Sequence, residues 1–407
     1  MPALSALCGA ARDGRHKDQD GFQAKRNKDS LKSPMRVLFW TETFWPNIGG
    51  VEVLAAKFLL ALRCRGYEFV IVAPQSGDCR PEQDNYRGIP VYRLPFSGAM
   101  TNIDRLIYLR EQVIRLKRTF RPHLIHINAV GPTIFFHQLT RNVHAAPLLV
   151  TLHGAWTSQI DALVERTLRD ANWVAGCCGA IVDKARGLAE AVVPRSGVIH
   201  NGLETPALAP APLSFDAPRL LCLGRLHRKK GVDVAVTAFG AIVERFPNAR
   251  LVIAGDGPAR SDLERQVASQ GLSAVVDFLG WVAPQDVPRV INTCTAVLMP
   301  SRSESLPLVA LETALMARPM VATRVGGLPE VVKHQQTGLL VEPDNSDELA
   351  EATGFLLAHA DVAIRMGLAA RRRAQTTFSW DDHINAYDNL YQKLTTGEPD
   401  ANKSATD

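Results

Sequence analysis

Residues 295–312 read TAVLMPSRSESLPLVALE, and this stretch has the pattern of a strand, a turn and the start of a helix. TAVLMP is short and apolar, as a buried strand is. Pro307 suits the first turn of a helix, because the backbone N–H that proline lacks has no partner there. Two carboxylates, Glu304 and Glu312, stand eight positions apart. The stretch therefore predicts a strand-to-helix unit with polar side chains at the carboxyl end of a strand.

The same alternation of apolar runs and longer amphipathic stretches extends in both directions. The runs before residue 203 are MRVLFW, EFVIVAP, LIHINA, PLLVTLHG and WVAGCCGAIV, and those after residue 218 are RLLCLGRL, RLVIAGDG, VVDFLGWV, TAVLMPSR, PMVATRVGG and TGLLVEP. Such alternation is typical of parallel strands with crossover helices. A segment rich in Pro and Ala, residues 203–218, interrupts it. We predict an α/β fold of two Rossmann-like, doubly wound parallel-sheet domains that face a cleft.

This pattern also predicts where the domains begin and end. We expect a disordered N-terminal extension (1–33), an N-terminal Rossmann-like domain (34–203), a linker (204–217), a C-terminal Rossmann-like domain (218–376), a C-terminal helix packing back on the N-terminal domain (377–397) and a disordered tail (398–407). Open α/β sheets bind ligands beyond the carboxyl ends of their strands. Function should therefore lie in the strand-to-helix turns.

Composition and charge exclude several classes of protein. The formal net charge is +5, but residues 11–33 hold seven Lys and Arg against four Asp, so the remaining chain is close to balanced. Nucleic-acid binding needs basic residues clustered on a folded face, and we expect no such partner. Scattered cysteines without C-x-x-C pairs favour a reducing cytoplasm. No run approaches the ~18 apolar residues of a membrane span, and the N-terminus lacks the pattern of a cleaved signal peptide.

Charged residues in two turns are candidates for binding an anion. GRLHRKKG (224–231) follows the strand LLCL and places Arg225 and Lys230 between two glycines, which let the backbone approach a ligand closely. An Arg fork and a Lys point charge suit a diphosphate. After Pro307, the free amides of Leu308 and Val309 would point toward a bound anion. A solvated basic loop and two solvated glutamates are the alternative interpretations.

Together these stretches resemble the family-4 (group 1) retaining glycosyltransferases, which have the GT-B fold. The resemblance covers about residues 35–395. Its most specific parts are G-R-L-x-x-x-K-G at 224–231 and the Glu304 and Glu312 pair followed by VATRVGGLPEVV at 321–332. It implies that the N-terminal domain binds the acceptor and the C-terminal domain binds a nucleotide-sugar donor.

The resemblance also implies roles for the residues that match the family's motifs. Arg225 and Lys230 would clamp the diphosphate, Glu304 would bind hydroxyls of the donor sugar, and Glu312 would bind the ribose. His153, in TLHG, stands where the family uses a histidine against the transferred sugar.

Further matches imply contacts around the substrates. Gly49 and Gly50 in NIGGVE look like the family's glycine loop, and Asn201 in HNGLE would help to shape the cleft. Gly257 in GDGP resembles the turn beside the nucleotide, and Val282 in GWV resembles the segment along the base.

Some residues depart from the family's pattern. Asn128 stands where a second histidine is frequent, Glu204 where Asp is common, and Pro307 in ESLP where ESFG is commoner. The first departure concerns acceptor-side contacts, not the donor clamp. His126 is interpreted as structural.

The function implied by the resemblance is a retaining hexosyltransferase of the EC 2.4 class. It would move a hexose from a UDP- or GDP-sugar donor to a hydroxyl of a glycan, lipid-linked or small-molecule acceptor. Positive side chains can replace a divalent cation, and the D-x-D at residues 18–20 lies in the N-terminal extension, so we expect no metal and no cofactor. The alternatives are a nucleotide-sugar epimerase or hydrolase of the same fold, or an inactive nucleotide-sugar-binding protein.

Residues 102–123 form a basic, amphipathic pattern at helical spacing. Such a helix can lie on an anionic membrane, or it can be an ordinary helix with its apolar side in the core. We therefore expect a cytoplasmic protein and leave open a peripheral contact with the inner face of the membrane.

Overall fold

The structure is a computed structural model that describes residues 34–47, 49–75, 83–154 and 156–396. The extension expected at 1–33 and the tail expected at 398–407 lie outside these residues.

In the described part of the chain before residue 200, eight strands form one sheet. They are β1 (Met35–Trp40), β2 (Tyr67–Pro74), β3 (Gln83–Tyr86), β4 (Ile89–Leu94), β5 (Leu124–Ile127), β6 (Leu148–Leu152), β7 (Trp173–Gly176) and β8 (Ser196–Val198). The α-helices between them are α1 (Gly50–Cys64), α2 (Ile103–Phe120), α3 (Ile134–Leu139), α4 (Asp161–Asp170) and α5 (Gly179–Leu188). The spatial order is β3-β4-β2-β1-β5-β6-β7-β8, and β3 pairs antiparallel with β4 while the other neighbours pair in parallel.

The described residues from 219 onward form a second sheet of six parallel strands. They are β9 (Arg219–Leu223), β10 (Arg250–Ala254), β11 (Val276–Gly280), β12 (Ala296–Met299), β13 (Met320–Thr323) and β14 (Leu339–Val341). The α-helices of this half are α6 (Val232–Arg245), α7 (Arg260–Ser269), α8 (Val287–Asn292), α9 (Leu308–Leu315), α10 (Leu328–Val331), α11 (Ser346–Ala358), α12 (Ala360–Thr377) and α13 (Trp380–Thr396).

The order of the second sheet, β11-β10-β9-β12-β13-β14, is that of a doubly wound Rossmann fold. Its strand order reverses between β9 and β12, and that of the first sheet reverses between β1 and β5. Ligand crevices of open α/β sheets open at such switch points. The turns after these four strands are therefore where the fold places a site.

The two parallel-sheet α/β domains expected from the sequence are confirmed, and each quoted apolar run contains a strand. The strands β3, β4 and β8 were not predicted from the sequence. QDNY in β3 is polar and lies at the sheet edge, IPVYRL in β4 contains a charged residue, and SGV in β8 is only three residues long. Arg93 of β4 is buried because it pairs with Asp84 of β3 and donates to the carbonyl oxygen of Trp45.

One apolar cluster connects the two domains. It contains Leu38 and Trp40 of β1 together with Leu306, Leu311 and Leu328 from the second domain. The loop after β12 is therefore packed against the core of the first domain as well as its own.

Helix α13 returns from the second domain to the first sheet. The Tyr391 hydroxyl lies 2.6 Å from His126 Nδ1, and Thr151 Oγ1 lies 2.8 Å from His126 Nε2. Phe58 of α1 packs against Tyr387 and Tyr391 of α13. Burial holds the pKa of His126 well below its ordinary value, so this histidine is a neutral core residue that anchors α13.

Helix α2 buries Leu109, Val113 and Leu116, whereas Ile103 and Ile107 are 68% and 48% exposed. Within the described residues, no helix is both long enough and apolar enough to cross a bilayer.

Candidate active site

The turns after β9 and β12 are packed directly on each other. Gly231 has a φ of +63°, and a Cβ there would lie 1.9 Å from the carbonyl oxygen of Pro300, so a side chain is excluded at this position. The Arg302 amide donates to the carbonyl oxygen of Lys229 at 2.8 Å. The turn 224–231, which carries Arg225 and Lys230, and the turn after β12, which carries Glu304, thus form one crevice at the switch point.

Lys230 and Glu304 meet in this crevice. Lys230 Nζ lies 2.6 Å from Glu304 Oε1, and Ser301 Oγ donates to the same oxygen at 2.8 Å. The Glu304 side chain is 9% exposed and that of Lys230 is 34% exposed. A carboxylate this enclosed is stabilised by a cationic partner, and a charge-assisted hydrogen bond fixes both side chains.

Arg225 lines the same crevice and is exposed. Among the described residues, its guanidinium makes no hydrogen bond or ion pair, although its backbone oxygen accepts from the His227 amide at 2.9 Å. Its guanidinium is therefore free to bind an anion beside Lys230.

Arg302 holds the two turns together and was not predicted from the sequence. Its guanidinium donates to both carboxylate oxygens of Asp233, at 2.8 and 2.6 Å, to Asp344 at 2.6 Å and to the carbonyl oxygen of Arg228 at 2.7 Å. The hydrogen bonds to Asp233 raise the pKa of Arg302. Its position directly after a strand was a signal, but its partners are distant in sequence.

Helix α9 begins at Leu308, with Pro307 as its N-cap residue. The first amides of a helix have no partner within the helix, so those of Leu308 and Val309 are available to an anion. Gly50, at the start of α1, faces this end: a Cβ there would lie 3.6 Å from Leu308 Cδ1. Gly49 is the N-cap residue of α1. The glycine loop of the first domain therefore lies opposite the N-terminus of α9.

Glu312 lies one turn into α9. Burial raises the pKa of Glu312 to about 7, and the opposing effect of Lys57 on α1 is smaller. Lys57 itself pairs with Glu204 at 3.0 Å. In the described part of the molecule the Glu312 carboxyl has no hydrogen-bond partner, so it can bind a ligand hydroxyl.

His153 follows β6, and its side chain is enclosed in the first domain. Nε2 lies 3.0 Å from Asn128 Oδ1. Burial and the neighbouring His383 lower the pKa of His153 to about 4, so the ring is neutral at pH 7. Three buried polar atoms here have no hydrogen-bond partner among the described residues: His153 Nδ1, Asn128 Nδ2 and Asn201 Oδ1.

The structure does not bring the His153 ring into contact with Lys230 or Glu304 in the described residues. Two neighbours of Glu304 make the connection. A Cβ on Gly154 would lie 3.7 Å from Ser305 Oγ, and Asn201 Nδ2 donates to the carbonyl oxygen of Leu306 at 3.2 Å. His153 and the loop 300–307 after β12 are thus adjacent through Gly154 and Asn201.

Gly257 and Val282 lie on the far side of the basic turn. A Cβ on Gly257 would lie 2.4 Å from the carbonyl oxygen of Leu226, and the Leu226 amide donates to Asp256 O at 2.9 Å. Val282 is half-buried and packs on the cluster that contains Leu221. Both residues follow strands on the β9 side of the switch point.

A carboxyl that was not predicted from the sequence, that of Glu42, lies after β1. Glu42 Oε1 accepts from the amide of Thr133 at 3.0 Å and from its hydroxyl at 2.6 Å. Burial raises the pKa of Glu42 to about 7. This group faces the switch point of the first sheet and could exchange hydrogen bonds with a hydroxyl there. Within the described residues, no group of three or more His, Cys, Asp or Glu side chains is arranged to hold a metal ion.

Several solved structures have a similar fold. The chain matches sucrose-phosphate synthase from Thermosynechococcus elongatus with a TM-score of 0.76 at 20% identity, covering 89% of this chain and 100% of that chain. It matches Anabaena HepE in complex with UDP-glucose with a TM-score of 0.72 at 20% identity, again covering 89% of this chain and 100% of that chain. These likenesses establish the two-domain GT-B fold.

Sequence comparison agrees with the structural likeness. The GDP-mannose-dependent α-(1-6)-phosphatidylinositol monomannoside mannosyltransferase of Mycobacterium tuberculosis is 27% identical over 375 residues, covering 85% of this chain and 95% of the relative. The family model Glycosyltransferase Family 4 matches residues 48–206, and the model Glycosyl transferases group 1 matches residues 217–359. Since one model matches each domain, the chain belongs to the group 1 glycosyltransferases.

Proposed function

We propose that this glycosyltransferase moves a hexose, with retention of anomeric configuration and without a metal, from a UDP- or GDP-sugar to a hydroxyl of a glycan, lipid-linked or small-molecule acceptor. The observation that supports it best is the 2.6 Å contact between Lys230 and Glu304, in the crevice between the glycine-flanked turn 224–231 and the turn after β12. The contact puts a cation beside a carboxylate. A sugar diphosphate would bind the cation through its phosphates and the carboxylate through its sugar hydroxyls.

The leaving group determines the chemistry of the crevice. When the glycosidic bond of the donor breaks, negative charge develops on the β-phosphate. The amides of Leu308 and Val309 are held in place by α9, and Arg225 and Lys230 lie in the same part of the molecule. Together they would stabilise that charge as it forms. In the absence of donor, Glu304 neutralises Lys230. With donor bound, Lys230 turns its charge to the phosphate, and Glu304 accepts hydrogen bonds from sugar hydroxyls.

Retention follows from a transfer on one face of the sugar. The leaving diphosphate accepts the proton of the attacking hydroxyl, so no separate base is needed. His153 is a poor proton carrier, because its pKa of about 4 makes it a weak base and leaves the ring without an acidic proton at pH 7. It therefore acts by hydrogen bonding to the transferred sugar, and Asn128 holds its ring in place.

The donor class is supported by two named relatives. The mycobacterial mannosyltransferase is GDP-mannose-dependent, and HepE was solved with UDP-glucose. Screening the chain by thermal shift against UDP- and GDP-sugars selects the donor, because a ligand that binds only the folded state raises its apparent stability. A nucleotide-sugar epimerase or hydrolase would instead isomerise or release the sugar at full rate without acceptor.

Replacing Lys230 or Glu304 by Ala should lower donor turnover about 100- to 1000-fold, because each removes a group aimed at the reacting donor. Nucleotide release from the selected sugar measures turnover, and circular dichroism checks the fold. Lys229→Ala, which removes an exposed lysine of the same turn, is the matched control and should retain activity. Near-normal rates in both the Lys230 and the Glu304 variants would contradict the assignment.

Turnover should continue in excess EDTA, since protein cations and helix amides stabilise the leaving group. The rate with EDTA is compared with the rate after adding back Mg²⁺ or Mn²⁺. A complete loss of turnover that either ion restores would show that a metal is required.

Donor affinity should rise with pH through about 7, because Glu312 must lose its proton to accept hydrogen bonds from both ribose hydroxyls. A raised acid pKa means that the proton-free form predominates only above that pH. Binding should be about tenfold tighter at pH 8 than at pH 6. Calorimetry with the intact nucleotide sugar measures this, since its diphosphate does not titrate in this range. Glu312→Gln should bind with a flat pH profile; an unchanged pH dependence would exclude Glu312 as the titrating ligand.

We also propose that α2 contacts an anionic membrane. Ile103 and Ile107 project from the helix next to exposed cations, of which Arg110 is one. Apolar side chains flanked by basic ones suit the interface of an anionic bilayer.

Flotation with vesicles containing phosphatidylglycerol should recover the protein, and flotation with neutral phosphatidylcholine should recover much less. The double variant Ile103→Asn/Ile107→Asn should stay at the bottom of the gradient. The control Ile364→Asn/Leu368→Asn removes one exposed isoleucine and one exposed leucine from α12. This variant should float like the wild type. Equal flotation of the two double variants would argue against α2.

A further inference from the structure

Glu330 lies on α10, in the turn 326–331 that follows β13, and its side chain reaches across to the first domain. Its Oε1 accepts a hydrogen bond from the Gly179 amide at 2.8 Å, and its Oε2 lies 2.7 Å from His200 Nε2. The residues it contacts lie at the start of α5 and directly after β8. The side chains of Glu330 and His200 are 28% and 29% exposed.

The contact with Gly179 supplies a side-chain hydrogen-bond acceptor to the N-terminus of α5. In the described structure, the N-cap residue Cys178 offers no side-chain hydrogen bond to the helix. The first amides of a helix need acceptors, and its positive end favours a carboxylate. Glu330 therefore caps a helix of the other domain, and moving the domains apart would leave that amide without this acceptor.

The backbone of the same turn touches the donor loop (300–307), which connects β12 to α9. Gly326 has a φ of +52°, and a Cβ there would lie 1.7 Å from the carbonyl oxygen of Glu304. The Gly327 amide donates to the carbonyl oxygen of Ser305 at 2.7 Å. Any displacement of this turn is therefore passed to the backbone that carries the Glu304 side chain.

Arg373 of α12 fixes the turn on its other side. Arg373 Nη2 donates to the backbone oxygen of Glu330 at 2.7 Å, and its guanidinium lies 5.5 Å from the Phe378 ring centre. The His200 ring packs edge-on against the same Phe378, with ring centres 5.0 Å apart. The turn thus has a fixed position relative to both domains.

We propose that Glu330 is a positioning residue that couples the contact between the domains to the placement of Glu304, and through Glu304 to that of Lys230. The path runs from Gly179 and His200 through the Glu330 carboxylate, and along the turn to Glu304. The inference rests on the proposed function for its effect on turnover. Its structural part, the support of the Glu304 backbone, is independent of any donor.

The test uses the full chain with Glu330→Ala, Glu330→Gln and the control Glu342→Ala, which removes a glutamate of the same domain paired with Arg324. Amide hydrogen exchange is followed without ligand at the Gly179 and Gly327 amides. Donor turnover is followed with the nucleotide sugar selected by thermal shift.

In Glu330→Ala, exchange should accelerate at Gly179 and also at Gly327, while the strands of the second sheet remain protected. The kcat should fall about 10- to 100-fold, because a small misplacement of a catalytic group is costly, and the donor KM should change less than about threefold. Glu330→Gln should recover most of the kcat, since its amide oxygen can still accept from Gly179. Glu342→Ala should match the wild type.

Faster exchange at Gly179 with wild-type exchange at Gly327 and wild-type kcat would overturn the proposal, because the contact would end at α5. Faster exchange throughout the second sheet would also overturn it, since Glu330 would then stabilise the domain in general. If the wild type turned over no nucleotide sugar, the proposed function would fail. The exchange at Gly327 would then still decide whether Glu330 supports the donor loop.

Discussion

The pairing of Lys230 with Glu304 is the interaction on which the rest of the crevice depends. A lysine and a glutamate 2.6 Å apart, with the carboxylate only 9% exposed, would be costly to separate without giving each a new partner. A sugar diphosphate offers both partners at once: phosphate oxygens for the cation and hydroxyls for the carboxylate. In the proposed reaction the free enzyme thus keeps its two charges neutralised and oriented until the donor replaces the internal contact.

This pairing is possible because backbone segments approach each other more closely than side chains would permit. Gly231 lies on Pro300, and Gly326 lies on Glu304, each at a distance that excludes a Cβ. Arg302, in the turn after β12, then donates to Asp233 at the start of α6 and so links the two turns. The geometry of the charges is therefore set by packed main chain together with the ion pair of Arg302 and Asp233.

The two domains are joined by apolar packing as well as by polar contacts. The cluster that includes Trp40 of the first sheet also includes Leu306 of the donor loop, and Asn201 donates to the carbonyl oxygen of that same leucine. Sites in the two switch-point crevices therefore share structural support. Burial acts on a titratable group in each crevice: it keeps His153 neutral at pH 7 on one side and raises the pKa of Glu312 to about 7 on the other.

Local sequence determined the elements and the turns of this protein. Apolar runs between amphipathic stretches predicted the parallel strands, and glycines and Pro307 marked the turns that carry charged residues, because strand, helix and turn preferences depend on near neighbours in the chain. The polar edge strand β3 and the short β8 lacked such a pattern.

The apolar stripe of α2 predicted a helix, but only packing decided that Ile103 and Ile107 would stay outside the core. The partners of Arg302 and Glu330 were likewise decided by tertiary structure, since Asp233 lies 69 residues from Arg302 and Gly179 lies 151 residues from Glu330. Which distant loops meet depends on the order of strands in the sheets and on how the domains face each other, and neither is encoded in the pattern of any single segment.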